Sequence, residues 1–261
     1  PPPGRGGEGG REPRPGGGRG PLRARRRFAG GAPLPPAGFP PRRGRASPLP
    51  TAGDDGEPRM ETIFNRNRDW AAEVAKDDPD FFARLSAQQT PRYFWIGCAD
   101  SRVPANVVAG LAPGAVFVQR NVANVVHDAD MNLLATLEYA VQVLQVRHVI
   151  VCGHYGCGGV KAATEPYAGG LSDHWLAPIR ALAARAREEL ARIEDPEARR
   201  DRLAELNVME GVARIAETPI LRRAWTEGRE VEVHGLIYGL RDGRLRDLEV
   251  SVGREGRHGA G

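Results

Sequence analysis

The chain carries Tyr93-Phe94-Trp95-Ile96-Gly97 directly before Cys98-Ala99-Asp100-Ser101-Arg102, and this stretch decides the fold. Four apolar side chains ended by a glycine are typical of a strand that is buried on both faces, as in a parallel sheet. The residues that follow then lie at the carboxyl end of the strand, where open α/β sheets assemble their ligand sites. The stretch therefore predicts a buried parallel strand with a functional loop after it.

Similar patterns follow along the chain. Apolar runs at 115–118 and 148–152 predict two more buried strands, and the second ends at Gly153-His154. Helical spacing or helix-start signals mark 64–75, 78–80, 131–144, 173–190 and 196–218. Segments 230–240 and 245–252 flank Asp242-Gly243, which is a hairpin signal. We expect an α/β fold: a mostly parallel sheet of about four parallel strands plus an antiparallel edge strand, flanked by helices, with an N-terminal helical arm.

Composition limits the class of protein. With 261 residues and 41% hydrophobic content, the chain can bury one substantial core. Its three cysteines are an odd number, which argues against a disulfide scaffold and fits a reducing compartment, so we expect a cytoplasmic protein. No stretch approaches the roughly 20 apolar residues that cross a bilayer, so no membrane span is expected.

Charge is distributed unevenly. Residues 1–59 hold twelve arginines and five acidic residues, a net +7, which leaves −3 of the total +4 for residues 60–261. The Gly/Pro/Arg-rich composition of 1–59 predicts a disordered extension, and 60–261 is predicted to be the folded domain. Met60 is the first methionine and could be the natural start; an organellar transit peptide is the alternative for the extension. The arginines also allow nucleic-acid binding, but we expect no nucleic-acid partner.

Cys98, His154 and Cys157 are the candidate metal ligands. His-x-x-Cys puts two ligands on one tight loop, and Cys98 arrives from another strand end. Two thiolates with one imidazole favour zinc over magnesium or calcium. Asp100 could complete the site or leave it, and a site with an open position can activate water. Cys152 reads as a buried small hydrophobe. The histidines expected to have no ligand role are His127, His148, His174, His234 and His258.

Three motifs carry a family resemblance. Residues 97–104 (Gly-Cys-Ala-Asp-Ser-Arg-Val-Pro), 120–124 (Arg-Asn-Val-Ala-Asn) and 152–159 (Cys-Gly-His-Tyr-Gly-Cys-Gly-Gly) resemble the signatures of the β-class carbonic anhydrases. The likeness covers roughly 60–252, includes 205–208 and 234–239, and is greatest to the bacterial branch. Residues 1–59 take no part in it.

The resemblance implies a carbonic anhydrase, a lyase that binds Zn²⁺ through Cys98, His154 and Cys157. It also implies an Asp100–Arg102 catalytic dyad and a homodimer as the minimal unit, often paired into a homotetramer. Zinc lowers the pKa of bound water to ≈ 7, so zinc-bound hydroxide can attack CO2 and form bicarbonate and a proton. Asp100 would orient that hydroxide, and Arg102 would hold Asp100 with a bidentate pair.

The resemblance further implies regulation. In the switchable members, the aspartate moves onto zinc and closes the site, and bicarbonate stabilises this form in a second pocket. The matching positions here are Trp95, Arg120 and Tyr238. We therefore expect inhibition at low pH and high bicarbonate, an allosteric shift between two forms.

Other functions remain open at this point. The same ligands could form a structural zinc site in a non-catalytic module, although such sites are typically completed by Cys or His. The same zinc chemistry could also hydrolyse a CO2 analogue such as carbon disulfide or carbonyl sulfide.

Overall fold

Within residues 60–258, the part of the chain that the computed structural model describes, seven strands form one sheet. They are β1 (Tyr93–Cys98), β2 (Val116–Asn121), β3 (His148–His154), β4 (Glu232–Gly239), β5 (Arg244–Asp247), β6 (Ser251–Gly253) and β7 (Gly256–His258). The order is β2-β1-β3-β4-β6-β7, and β5 also pairs with β4. The first four strands are parallel, and the later ones pair antiparallel. This confirms the predicted fold class.

The helices of the same residues flank this sheet. They are α1 (Met60–Asp77), α2 (Phe81–Ala87), α3 (Ala105–Val108), α4 (Met131–Glu138), α5 (Gly158–Thr164), α6 (Leu171–Trp175), α7 (Ala177–Arg185), α8 (Arg187–Ala191), α9 (Pro196–Glu217) and α10 (Pro219–Thr226). The predicted N-terminal arm is α1 and α2, where the Trp70 and Phe82 rings meet edge to face at 5.8 Å. None of these helices is long and apolar enough to cross a membrane.

Strands β1 and β3 are buried on both faces of the sheet. Phe94 and Ile96 of β1 are fully buried in the main core, whereas Trp95 packs on the opposite face with Ile150 and Cys152. Helix α9 lies against β3 and β4. A Cβ at Gly235 of β4 would come within 3.2 Å of both Val208 and Val212, so glycine allows this close packing.

Three of the segments predicted from the sequence differ in the structure. The single helix expected at 173–190 is divided into α6, α7 and α8, and Pro178, which lacks an N–H group, stands at the start of α7. The helix expected at 131–144 continues beyond α4 as one wider turn, in which the Leu144 amide bonds the Tyr139 carbonyl. Helix α10 was not predicted.

The third difference is in the strand expected at 245–252. It is interrupted between β5 and β6, where Glu249 has a φ of 57°. Leu236 of β4 pairs with Asp247 of β5, and Val233 of β4 pairs with Val252 of β6. The two pairs are three residues apart along β4 but five residues apart from β5 to β6. The two extra residues form a bulge. The hairpin expected at Asp242-Gly243 is confirmed. The predictions for residues 1–59, including the domain boundary at 60, lie outside the described residues.

Gly235→Ala should lower the free energy of unfolding by about 1–3 kcal/mol, because overpacking displaces side chains or backbone. The added methyl would stand 2.6 Å from Cγ2 of Val250. Gly158→Ala is the matched control, since nothing lies within 4 Å of a Cβ there. Urea denaturation of both variants measures the difference. Equal midpoints would show that the packing of α9 on β4 does not require the glycine.

Candidate active site

Three potential metal ligands meet at the carboxyl ends of β1 and β3. Cys98 ends β1, His154 ends β3, and Cys157 immediately precedes α5. All three side chains are buried, and their ligand atoms lie within 4.8 Å of one another. The two sulfur atoms are 3.9 Å apart. Sulfurs about 2.3 Å from a tetrahedral zinc ion would be separated by about 3.8 Å, so the spacing fits that ion.

The histidine is oriented as a metal ligand would be. Nδ1 of His154 donates to the Tyr155 carbonyl at 3.0 Å, which leaves the lone pair on Nε2. Nε2 is buried and has no hydrogen-bond partner among the described residues. A buried polar atom without a partner costs about 1–3 kcal/mol, and a bound cation would remove this cost. The donor set of two sulfurs and one imidazole nitrogen suits zinc.

The electrostatics of the site favour a positive charge. A hydrogen bond between the two thiols lowers the pKa of Cys98 and raises that of Cys157, because one proton is shared across the pair. Burial acts to lower the pKa of His154, but the neighbouring Cys98 outweighs it and raises the pKa overall. The field that draws a proton to His154 would also attract a metal cation, which would allow both thiols to ionise.

Asp100 lies beside the three ligands and is held by Arg102. Arg102 donates from Nε to Oδ1 at 2.9 Å and from Nη2 to Oδ2 at 2.6 Å, which is the predicted bidentate pair. Oδ2 of Asp100 is 3.7 Å from Nε2 of His154. The hydrogen bonds from Arg102 hold the pKa of Asp100 well below its usual range. At pH values above the ordinary pKa of an aspartate, the Asp100–Arg102 pair therefore stabilises the folded protein. This stabilisation is lost as the pH falls through the lowered pKa of Asp100.

Helix α9 supports the loop that carries His154 and Cys157. The Tyr155 hydroxyl donates to Oε1 of Glu205 at 2.6 Å, and the Gly156 amide donates to Oδ1 of Asp201 at 3.1 Å. Gly156 has a φ of 66°, which favours glycine. Sequence reasoning assigned neither carboxylate a role. Their i, i+4 spacing, which puts them on one helix face, is the signal that could have found them.

Trp95 and Tyr238 pack against one small cluster, and Arg120 contacts the loop after β1. Trp95 and Tyr238 both border the cluster of Ile150 and Cys152. The Trp95 indole lies over Gly97, where a Cβ would stand 2.5 Å from Nε1. Arg120 donates from Nε to the Cys98 carbonyl at 2.7 Å and from Nη2 to the Asp100 carbonyl.

The remaining cysteine and histidines have different positions. Cys152 is buried, burial raises its pKa, and its thiol lies 3.3 Å from the Gly153 carbonyl, in keeping with the predicted packing role. His127 and His174 are exposed. His148 and His234, expected to have no ligand role, lie on β3 and β4 with ring nitrogens 3.1 Å apart.

Fold and site together define an α/β protein with a candidate Cys₂His metal site at the carboxyl ends of parallel strands. Residues 93–245 match the carbonic anhydrase family model. A carbonic anhydrase of Emericella nidulans is 44% identical over 194 residues, which cover 74% of this chain and 85% of that protein. The chain therefore belongs to the β-carbonic anhydrase family, and the predicted enzyme class, a carbonic anhydrase, is confirmed.

Solved structures agree with this assignment. A tetrameric β-carbonic anhydrase of Sordaria macrospora matches with a TM-score of 0.71 and 39% identity, over 74% of this chain and 98% of that one. A Coccomyxa β-carbonic anhydrase in complex with acetazolamide matches with a TM-score of 0.72 and 35% identity, over 75% of this chain and 89% of that one. Both similarities support CO2 hydration as the family activity of this chain.

Proposed function

We propose that the enzyme binds zinc through Cys98, His154 and Cys157 and hydrates CO2 reversibly to bicarbonate. The observation that carries the proposal is the buried, unpartnered Nε2 of His154 within 4.8 Å of two thiols. A zinc ion there would supply the Lewis acidity that makes water a nucleophile near neutral pH.

The contacts of Asp100 and Arg102 support the catalytic roles proposed for them. An ionised Asp100 accepts a hydrogen bond from the attacking water and so directs the oxygen lone pair towards CO2. Arg102 positions Asp100, since its two parallel bonds fix the plane of the carboxylate. Because Arg102 keeps the pKa of Asp100 low, the carboxylate stays ionised throughout the neutral range.

Cys98→Ala or Cys157→Ala should remove zinc, because two protein ligands rarely retain the ion. Activity should fall by more than the roughly 10–100-fold that loss of an outer-shell partner costs. Cys152→Ala is the matched control, since this third buried cysteine is not among the proposed ligands. It should keep both the zinc and the activity. Metal analysis and CO2 hydration at alkaline pH measure the outcome.

The same experiment distinguishes the alternatives. A full zinc complement without CO2 hydration would refute the proposal and favour a structural zinc module. Hydrolysis of carbonyl sulfide or carbon disulfide in place of CO2 hydration would favour the analogue hydrolase.

Regulation by bicarbonate is a further part of the proposal. We propose that bicarbonate binds beside Trp95, Arg120 and Tyr238 and favours a closed form in which Asp100 leaves Arg102 and becomes the fourth ligand. Support comes from Arg120, which donates to the Asp100 carbonyl. An anion that drew Arg120 away would free the loop that carries Asp100. Likeness to the bacterial, switchable branch remains a prediction.

Low pH should favour the closed form, but not by protonating Asp100. The pKa of Asp100 lies too far below neutrality for that group to titrate in the working range.

Trp95→Phe and Tyr238→Phe should each weaken bicarbonate inhibition and leave zinc bound. A hydrogen bond to a charged group contributes about 1.5–3 kcal/mol, so the inhibition constant should rise about tenfold or more. Tyr139→Phe is the control, because Tyr139 is exposed. Inhibition kinetics across a bicarbonate series give the constants. Inhibition that is equal in all three variants and the wild type would exclude this pocket.

We also propose a homo-oligomer, a dimer or a tetramer, in the cytoplasm, where the thiols stay reduced. Helix α1 has no buried residue, and it exposes Met60, Ile63 and Phe64 by 57–62%. Strand β2 pairs only with β1 among the described strands, so one of its edges is open. A second copy would cover this apolar face and edge. The tetrameric relative supports the assembly.

Phe64→Asp should shift the protein to a smaller species, because a carboxylate cannot be buried unpaired in an interface. Thr62→Asp introduces the same charge about 200° around the helix and should leave the assembly unchanged. Sedimentation velocity measures both. A wild-type protein that sediments as a monomer would contradict the proposal.

A further inference from the structure

A second group of potential metal ligands lies at the other end of the sheet. His148 begins β3, Glu232 begins β4 directly opposite it, and His234 follows two residues later. Alternate residues of a strand point to one face, so the three side chains share a face of the sheet. His154 lies six residues after His148 on the same strand, about 20 Å away. The group is therefore separate from the active site.

The three ligand atoms have the spacing of a coordination site. Nδ1 of His148 is 3.1 Å from Nε2 of His234. Oε2 of Glu232 is 3.9 Å from the first nitrogen and 3.6 Å from the second. Ligands 2.0–2.1 Å from a tetrahedral zinc ion are separated by about 3.3–3.4 Å. The observed triangle differs from this by a few tenths of an ångström.

Neighbouring side chains orient both rings. Oγ of Ser251 lies 2.9 Å from Nδ1 of His234, so a proton on Nδ1 leaves the Nε2 lone pair facing the group. The Tyr93 ring stacks on His148 with centroids 5.5 Å apart. Burial, together with His234, lowers the pKa of His148, which favours the neutral imidazole that binds metals.

Solvent can reach the group. The side chain of Glu232 is 52% exposed, that of His148 37% and that of His234 22%. His148 and Glu232 line a surface cleft of about 400 Å³. Its other charged lining residues are Arg147, Arg229, Arg254, Glu230 and Glu255. The positive charge of the arginines opposes cation binding, and the glutamates offset part of that repulsion. We therefore expect a site that binds its ion more weakly and exchangeably than the Cys98–His154–Cys157 group.

We propose that His148, Glu232 and His234 form a second site for a divalent transition-metal ion of the zinc type. Two imidazoles and one carboxylate are ligands that zinc and cobalt accept, with positions left for water. The ion would link the first residues of β3 and β4. This inference does not depend on the proposed function of the active site.

Cobalt binding to the zinc-loaded holoprotein tests the proposal. We expect one equivalent of Co²⁺ per chain, bound as a second metal ion beside the zinc, with visible d–d bands and no thiolate-to-cobalt charge-transfer band, since this site has no sulfur. His148→Gln and His234→Gln should each fail to bind cobalt and should keep the zinc. His174→Gln, at an exposed histidine of α6, is the matched control and should bind both the zinc ion and the cobalt ion.

Ser251→Ala gives an independent measure that keeps all three ligands. Loss of an outer-shell partner should lower the affinity for the cobalt ion by about 10–100-fold. A wild-type zinc-loaded holoprotein that takes up no cobalt would overturn the proposal. Cobalt that binds to His234→Gln as tightly as to the wild type would also overturn it. If His234→Gln fails to fold, equal cobalt binding by Ser251→Ala and the wild type would do so.

Discussion

The parallel pairing of β1 with β3 is the constraint on which the rest of the structure depends. Gly97 stands opposite Cys152 in this register, so Cys98 and His154 both lie at the same edge of the sheet. A slip of one residue would turn every side chain of β1 to the other face. Cys98 would then point away from His154, and Trp95 would enter the main core. The register thus determines where the candidate metal ligands lie and which side chains form the core.

Helix α9 maintains this arrangement from one face. Its valines pack against the glycines of β3 and β4, and its polar residues reach the loops above the strands. Asn207 donates to the Ala123 carbonyl at 2.9 Å, and Glu205 and Asp201 bind the loop after β3. One helix therefore couples core packing to the position of His154 and Cys157. This is the outer support that a preorganised metal site requires.

Two arginines control Asp100 through different atoms. Arg102 holds the carboxylate, whereas Arg120 holds the backbone carbonyl of the same residue. The carboxylate can therefore rotate only if Arg102 releases it, and the loop can shift only if Arg120 releases it. This double hold is the physical basis on which the two forms are proposed, because an anion that competed for Arg120 would act on the loop without touching the carboxylate.

Much of this protein could be predicted from its sequence. Apolar runs ended by Gly97 and Gly153 identified β1 and β3, and the motifs identified Cys98, His154 and Cys157, because burial patterns and ligand chemistry are local properties. The division of the helix expected at 173–190, the bulge at Glu249 and the support from Asp201 and Glu205 were decided by packing. The same is true of His148 and His234, which are 86 residues apart in the chain. Their contact depends on strand order and register, and these are set by burial over the whole sheet and by no single segment.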